Sequence, residues 1–254
     1  MRSMNTPLSA PEASWFGDRP IDPGEKTGLV REVFSRVAGR YDLMNDLMSA
    51  GIHRAWKAAF VDMLAPRAAE RLLDVAAGTG DIAAGWRQAG GGPAVLCDIN
   101  EAMLNAGRDK AIDRGRIDLL SWTVGNAESL PFPDRSFDAY TIAFGLRNVT
   151  DIDAALAEAR RVLKPGGRFF CLEFSRVAIA PLRLLYERYS DAVIPRLGAI
   201  IANDRDSYVY LVESIRRFPD QEALLRRIAA AGLSLGRYRN LSGGIAAIHH
   251  AFRI

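Results

Sequence analysis

The stretch Leu72-Leu73-Asp74-Val75-Ala76-Ala77-Gly78-Thr79-Gly80-Asp81 holds the residues best suited to seating a small molecule. A short apolar run reaches an acid, Asp74, and then breaks into Gly-Thr-Gly before helical spacing begins. A buried parallel strand reads this way when it feeds a helix through a tight turn. Gly78 and Gly80 let backbone come within contact distance of a ligand, because neither carries a Cβ to obstruct it. Eighteen positions after Gly80, a second apolar run ends at Asp98, whose single carboxylate can grip two ribose hydroxyls. A third stretch, Gly125-Asn126-Ala127-Glu128, follows another strand pattern. An amide or acid here can accept from an exocyclic amine while the next backbone N–H meets a ring nitrogen; an adenine edge is read in this way. Together these features describe a nucleoside-bearing cofactor lying across the carboxyl ends of a sheet. The turn alone leaves that cofactor open. Gly78-Thr79-Gly80-Asp81-Ile82-Ala83 also satisfies the loose dinucleotide pattern G-x-G-x-x-[G/A], and a Gly-rich corner need hold no ligand at all.

Strand-helix alternation must position these residues. Strands are expected near 71–75, 93–98, 117–124, 137–143 and 167–174, with helices near 80–89, 101–111 and 152–163. Such βαβ alternation implies a mostly parallel sheet with right-handed crossovers, helices on both faces, and ligands beyond the strand carboxyl ends near a switch in strand order. Leu29, Val30, Val33, Phe34 and Val37 recur at helical spacing from Gly28, and a second helix runs from about Ile52 to Leu64. Helices so rich in Met and aromatic residues, ahead of the first strand, fold back over something or simply pack on one another. Beyond the fifth strand, helices are expected at about 179–193, 204–217 and 220–231, and two final strands near 233–240 and 244–252 make a hairpin-like ending. The economical organisation is a flexible tail over residues 1–26 and one domain over 27–254. Within it we read a helical cap at 27–66, a cofactor-binding core at 67–175, a helical insert at 176–231 and the closing strands at 232–254.

Composition narrows the class. With 254 residues, 49% hydrophobic and 25% charged, the chain can bury a sizeable core. The net charge of +3 is spread without a dense basic block, so nucleic acid is not indicated as a partner. Cys97 and Cys171 both fall in expected strands and read as buried thiols of a reducing compartment. His53, His249 and His250 make no metal-ligand spacing, and no metal site is expected. No run approaches eighteen apolar residues. The first 26 residues lack an apolar signal core and carry Glu12, Asp18 and Asp22, so the expected location is the cytoplasm.

Two further stretches separate methyl transfer from hydride transfer: Ser136-Phe137-Asp138 opening the fourth strand, and Arg161-Val162-Leu163-Lys164-Pro165-Gly166-Gly167 closing a helix through a tight turn. With the glycine turn, Asp98 and Asn126, this ordered set resembles the S-adenosylmethionine-dependent methyltransferases of the seven-stranded Rossmann-like class. The resemblance narrows at Tyr41-Asp42-Leu43-Met44-Asn45, Arg54-Ala55-Trp56-Lys57, Phe144-Gly145-Leu146-Arg147-Asn148, Leu172-Glu173-Phe174-Ser175 and the run from Tyr208 to Pro219. There the chain is similar to the quinone-biosynthesis C-methyltransferases. The resemblance implies S-adenosyl-L-methionine as cofactor, held at Thr79, Asp98, Asn126 and Ala127. It also implies a polyprenylated benzoquinol or naphthoquinol as substrate, methylated on a ring carbon. Two positions depart from the family pattern: Ala77 stands where a Gly is common, and Ala143 where some members carry Ser.

On this reading Arg147 is a fixed charge favouring the ionised quinol, its alternative role being a structural tether for the loop; Asn148 holds the hydroxyl, and Tyr41 and Asp42 close the pocket against water. Residues 179–202, with Ile179, Leu182, Leu185, Tyr186 and Tyr189 on one stripe, are expected to give the prenyl tail an apolar path from a membrane surface. Peripheral contact with the membrane, a quinone-biosynthesis assembly and a homo-oligomer are compatible partners. The rival readings are a methyltransferase of RNA or of another small molecule, and a non-catalytic scaffold. Phe144-Gly145-Leu146-Arg147-Asn148 offers one base and no aromatic cluster for stacking nucleotides, while an intact turn with Asp98 and Asn126 argues against a scaffold.

Overall fold

The computed structural model describes residues 14–16, 19–37, 51–177 and 205–254. Part of the segment expected as a flexible tail has structure. Strands β1 (Ser14–Phe16) and β2 (Arg19–Ile21) pair antiparallel, and helix α1 (Pro23–Val37) begins five residues before the expected Gly28. Asp22-Pro23-Gly24-Glu25 explains the early start. The Asp22 carboxylate accepts the Gly24 N–H at 2.7 Å, and Pro23 occupies the first helical position, where its missing N–H is no loss. Helix α2 (His53–Leu64) follows and turns Trp56, Phe60, Val61 and Leu64 inward.

Every residue of β3 (Leu72–Val75) and β4 (Ala94–Asp98) is buried, as required of central strands with helices on both faces. Leu72 and Leu73 enter different cores, since successive strand residues point to opposite faces. Helix α3 (Asp81–Gln88) links these strands, and α4 (Glu101–Asp113) leads to the edge strand β5 (Leu120–Val124). The chain then crosses to β6 (Phe137–Ala143), passes through α5 (Ile152–Val162), and enters β7 (Leu163–Phe174). Strand β7 starts ahead of the expected Gly167, because Leu163 already pairs with Phe137 before an irregularity in register. Helices α6 (Arg205–Arg217) and α7 (Gln221–Ala230) precede β8 (Ser234–Leu241) and β9 (Ala246–Phe252).

The seven strands lie in the order β5-β4-β3-β6-β7-β9-β8. Pairs from β5 to β7 are parallel, and β9 runs antiparallel to both β7 and β8. This is the expected seven-stranded, mostly parallel Rossmann-like sheet. The order reverses at β3, whose two neighbours are β4 and β6, so the carboxyl ends of these strands diverge and leave a crevice. Cys97 and Cys171 are buried free thiols. No helix among the described residues is long and apolar enough to cross a membrane.

Candidate active site

A cleft of about 740 Å³, its open mouth included, lies at the carboxyl ends of β3, β4, β5 and β6. Its walls include Gly78, Asp98, Asn126, Ala127, Phe144 and Asn148. Thr27, Val30 and Arg31 of α1 roof it. Three contacts seat that roof: the Asn100 amide donates to the Arg31 carbonyl at 3.1 Å, the Lys26 ammonium to the Val149 carbonyl at 2.8 Å, and Thr27 and Thr150 share a 3.3 Å hydroxyl contact. The first N-terminal helix therefore does fold back over something.

Backbone conformation shapes the turn after β3. Ala76 (φ 51), Gly78 (φ 54) and Gly80 (φ 82) all lie in the left-handed region. A Cβ on Gly80 would stand 2.6 Å from Leu96 Cδ2, so the glycine is needed twice over. Ala77 is not among the left-handed residues, and an alanine in place of the family's glycine costs nothing there. Asp74 braces the turn from beneath: its carboxylate accepts the Thr141 hydroxyl at 2.8 Å and the Ala83 N–H of α3 at 3.3 Å. Burial pushes the Asp74 carboxyl up to about 7 against those two bonds.

Asp98 faces the cleft with each oxygen already engaged. Oδ2 accepts the Gly78 N–H and Oδ1 the Asn100 N–H, both at 2.8 Å. The Ile99 N–H also reaches this carboxylate, which with roughly four acceptor sites when ionised still keeps capacity for a ligand hydroxyl. Burial raises the Asp98 carboxyl, and these N–H groups draw it back. The capping of α4 falls to Asn100, which accepts from the N–H groups of Ala102 and Met103, and Asp98 is free of that structural duty. Asn126 and Ala127 line the far end of the cleft, where the Asn126 side-chain oxygen accepts the Glu128 N–H at 3.0 Å. A nucleoside with a diol toward Asp98 and a purine edge toward Asn126 fits this donor and acceptor set.

Arg147 departs from its expected state. Its guanidinium is not an isolated charge facing substrate: it is buried, 3.0 Å from Glu173 Oε2, donates to the Phe144 carbonyl at 2.5 Å, and sits over the Phe174 ring. Glu173 also accepts the main-chain N–H groups of Arg147 and Phe174, at 3.2 and 3.1 Å. The pair pins the 3₁₀ turn Leu146–Asn148 to β7. Asn148 does reach the cleft, and its side-chain oxygen accepts the Tyr210 hydroxyl of α6 at 3.0 Å. Sequence reasoning assigned no role to Glu173 or Tyr210. An acid inside the apolar strand Cys171–Phe174 was the available signal for the first; the second had none. Tyr41, Asp42 and residues 179–202 lie outside the described residues.

A second, smaller cavity adjoins the cleft, sharing Ala76, Gly78 and Phe144 with it. Thr79 lines this cavity, together with Asp74, Ala143, Lys57 and Asp81. Of the expected cofactor residues, Gly78 borders both spaces, Asp98, Asn126 and Ala127 border the cleft, Asp74 and Thr79 border the smaller cavity, and Gly80 lines neither.

Comparison with known proteins places this geometry in a lineage. A Thermotoga maritima S-adenosylmethionine-dependent methyltransferase, described as a possible histamine N-methyltransferase, superposes with a TM-score of 0.65 at 20% identity. The match covers 89% of this chain and all of that one, and it speaks to the fold. Ubiquinone/menaquinone biosynthesis C-methyltransferase UbiE of Acidiphilium cryptum is 57% identical over 94% of this chain and 96% of its own length. Its namesake in Paracoccus denitrificans is 56% identical, over 96% and 98%. The model of the ubiE/COQ5 methyltransferase family matches residues 22–253, from the cap of the roofing helix to the end of the last strand. A glycine turn braced by Asp74, a cleft acid relieved of capping and a match of that extent leave one conclusion: this chain belongs to the ubiE/COQ5 methyltransferase family.

Proposed function

We propose that the chain carries the methyl group of S-adenosylmethionine to a ring carbon of a polyprenylated quinol, a benzoquinol, a naphthoquinol or both. It is an S-adenosylmethionine-dependent C-methyltransferase of quinone biosynthesis. The observation that carries the finer reading is the meeting of Asp98 and Asn148 on one cleft. An acceptor suited to the cofactor's ribose there faces an amide suited to a substrate oxygen.

S-adenosylmethionine supplies an electrophilic methyl group; the chain must supply placement and a reactive ring carbon. In our reading Asp98 takes the two ribose hydroxyls, Asn126 and the Ala127 N–H read the adenine edge, and Gly78, Thr79 and Gly80 bring backbone against the cofactor. Asp74 holds that turn in shape. A ring carbon becomes nucleophilic when the neighbouring hydroxyl gives up its proton. With a phenolic pKa near 10, that ionisation costs roughly 4 kcal/mol at pH 7. With its oxygen engaged by Tyr210, Asn148 offers its amide N–H to the oxygen on which charge develops. Arg147 enters as a positioning residue that acts through the turn bearing Asn148, because Glu173 offsets its charge. Tyr41 and Asp42, as closing residues, and the stripe at 179–202, as a path for the prenyl chain at a membrane surface, belong to the proposal on sequence grounds. The test is methyl incorporation from labelled S-adenosylmethionine into reduced demethyl-benzoquinol and demethyl-naphthoquinol under anaerobic conditions, with the product's methyl position assigned by NMR. Ring C-methylation of at least one quinol is expected. O-methylation, or no incorporation into either, would overturn the reading.

A further inference from the structure

The smaller cavity beside the glycine turn has charged walls. Lys57 Nζ lies 2.8 Å from Asp81 Oδ2, and Lys110 Nζ lies 3.0 Å from Asp81 Oδ1. Two ammonium groups therefore share one carboxylate. Burial opposes ionisation of Asp81, yet the two lysines hold its carboxyl well below the ordinary carboxylate range. Lys57 reaches the cavity wall, whereas Lys110 approaches Asp81 from α4 and is not part of that wall. The arrangement has a chemical consequence. Lys57 can turn part of its hydrogen bonding to an incoming anion while Lys110 keeps Asp81 compensated.

The position of the cavity says which anion fits. Asp98 and Asn126 receive the nucleoside, so whatever the nucleoside carries at its other end extends past Ala76, Gly78 and Phe144, the residues the two spaces share. In S-adenosylmethionine that end is an amino acid, with an α-carboxylate and an α-ammonium. We propose that Lys57 pairs with the α-carboxylate of the cofactor and that Asp81 is the anchor from which Lys57 is drawn. This assignment rests on S-adenosylmethionine being the cofactor. The competing role for Lys57 is a clamp tying α2 to α3, with no ligand contact.

A cycle over protein and ligand separates the two roles. S-adenosylhomocysteine and its decarboxylated analogue, which lacks only the α-carboxylate, would be titrated calorimetrically into the parent and into Lys57→Met. The parent should prefer S-adenosylhomocysteine by about 10–100-fold, as for one charge-assisted hydrogen bond. Lys57→Met should shrink that preference to about threefold or less while binding the decarboxylated analogue nearly as the parent does. Equal loss of both ligands would mark Lys57 as a clamp and overturn the proposal. A parent without preference for the carboxylate would overturn it from the ligand side, with no need of a variant. Should Lys57→Met fail to fold, Lys57→Gln keeps a polar group on Asp81 and answers the same question. A parent that binds neither ligand would instead remove the cofactor assignment, and this subsite with it.

Discussion

Glu173→Gln should be among the most damaging single changes in the chain, though it replaces a carboxylate with a group of the same shape. The Glu173 and Arg147 side chains are 1% and 2% exposed, and their charged atoms are 3.0 Å apart. Glutamine keeps an acceptor for only one of the two N–H groups, because that of Arg147 goes to Oε1 and that of Phe174 to Oε2, and it leaves a guanidinium buried without a counter-charge. Breaking a buried pair this way costs about 3–5 kcal/mol, a large part of the roughly 5–15 kcal/mol that stabilises a domain. Arg147→Met should cost less, because burial already raises the Glu173 carboxyl, which can then take a proton instead of standing charged. The double variant Arg147→Met/Glu173→Gln buries no net charge. It should recover about 2–3 kcal/mol relative to the sum of the singles. Urea unfolding at pH 7, followed by two probes to check two-state behaviour, measures all four proteins. Simple additivity, or a Glu173→Gln cost below about 1 kcal/mol, would refute the picture of a mutually dependent buried pair. Turnover adds a second reading: a double variant that folds and binds S-adenosylhomocysteine should still methylate quinol slowly, because the turn bearing Asn148 has lost its anchor.

Asp98→Ala should weaken S-adenosylhomocysteine binding by about 1.5–3 kcal/mol, measured by calorimetry; an unchanged dissociation constant would remove Asp98 from the site. Asp74 titrates at about 7 when folded against an ordinary 3.8, so folding takes up protons between those values. Its stabilising contribution is complete below about pH 4 and is lost as pH rises through 7, a change of order 4 kcal/mol. Denaturation of the parent and Asp74→Asn from pH 4 to 8 should therefore show the variant gaining on the parent as pH rises, and parallel curves would contradict the shift. Tyr210→Phe should raise the quinol KM and leave S-adenosylhomocysteine affinity alone, with a stability loss of about 0.5–1.5 kcal/mol; steady-state kinetics and calorimetry read the two. Gly80→Ala puts a Cβ against Leu96 in a left-handed backbone and should destabilise the fold by about 1–3 kcal/mol in the same urea assay.

What the sequence by itself determined is whatever local order encodes. The apolar runs ending at Val75 and Asp98, the glycines after the first and the helical spacing between them specify a parallel sheet, because strand period, helix period and turn chemistry are properties of neighbours along the chain. Asp98 was legible as an acid of the cleft for the same reason: it stands at a strand end a fixed distance past the turn. The early start of α1 was not read from the sequence, although Asp22-Pro23-Gly24-Glu25 carries its signal. Long-range pairing was not legible. Arg147 advertises a charge, but only the neighbouring β6 and β7 bring Glu173, 26 positions away, against it. That meeting turns an expected free cation into half of a buried pair. Tyr210 finds Asn148 across 62 positions, and Lys57 finds Asp81 across 24. Tertiary structure decided these because the partner of a polar group is chosen by the cost of leaving it dry and unpaired, and that cost exists only once packing has excluded water.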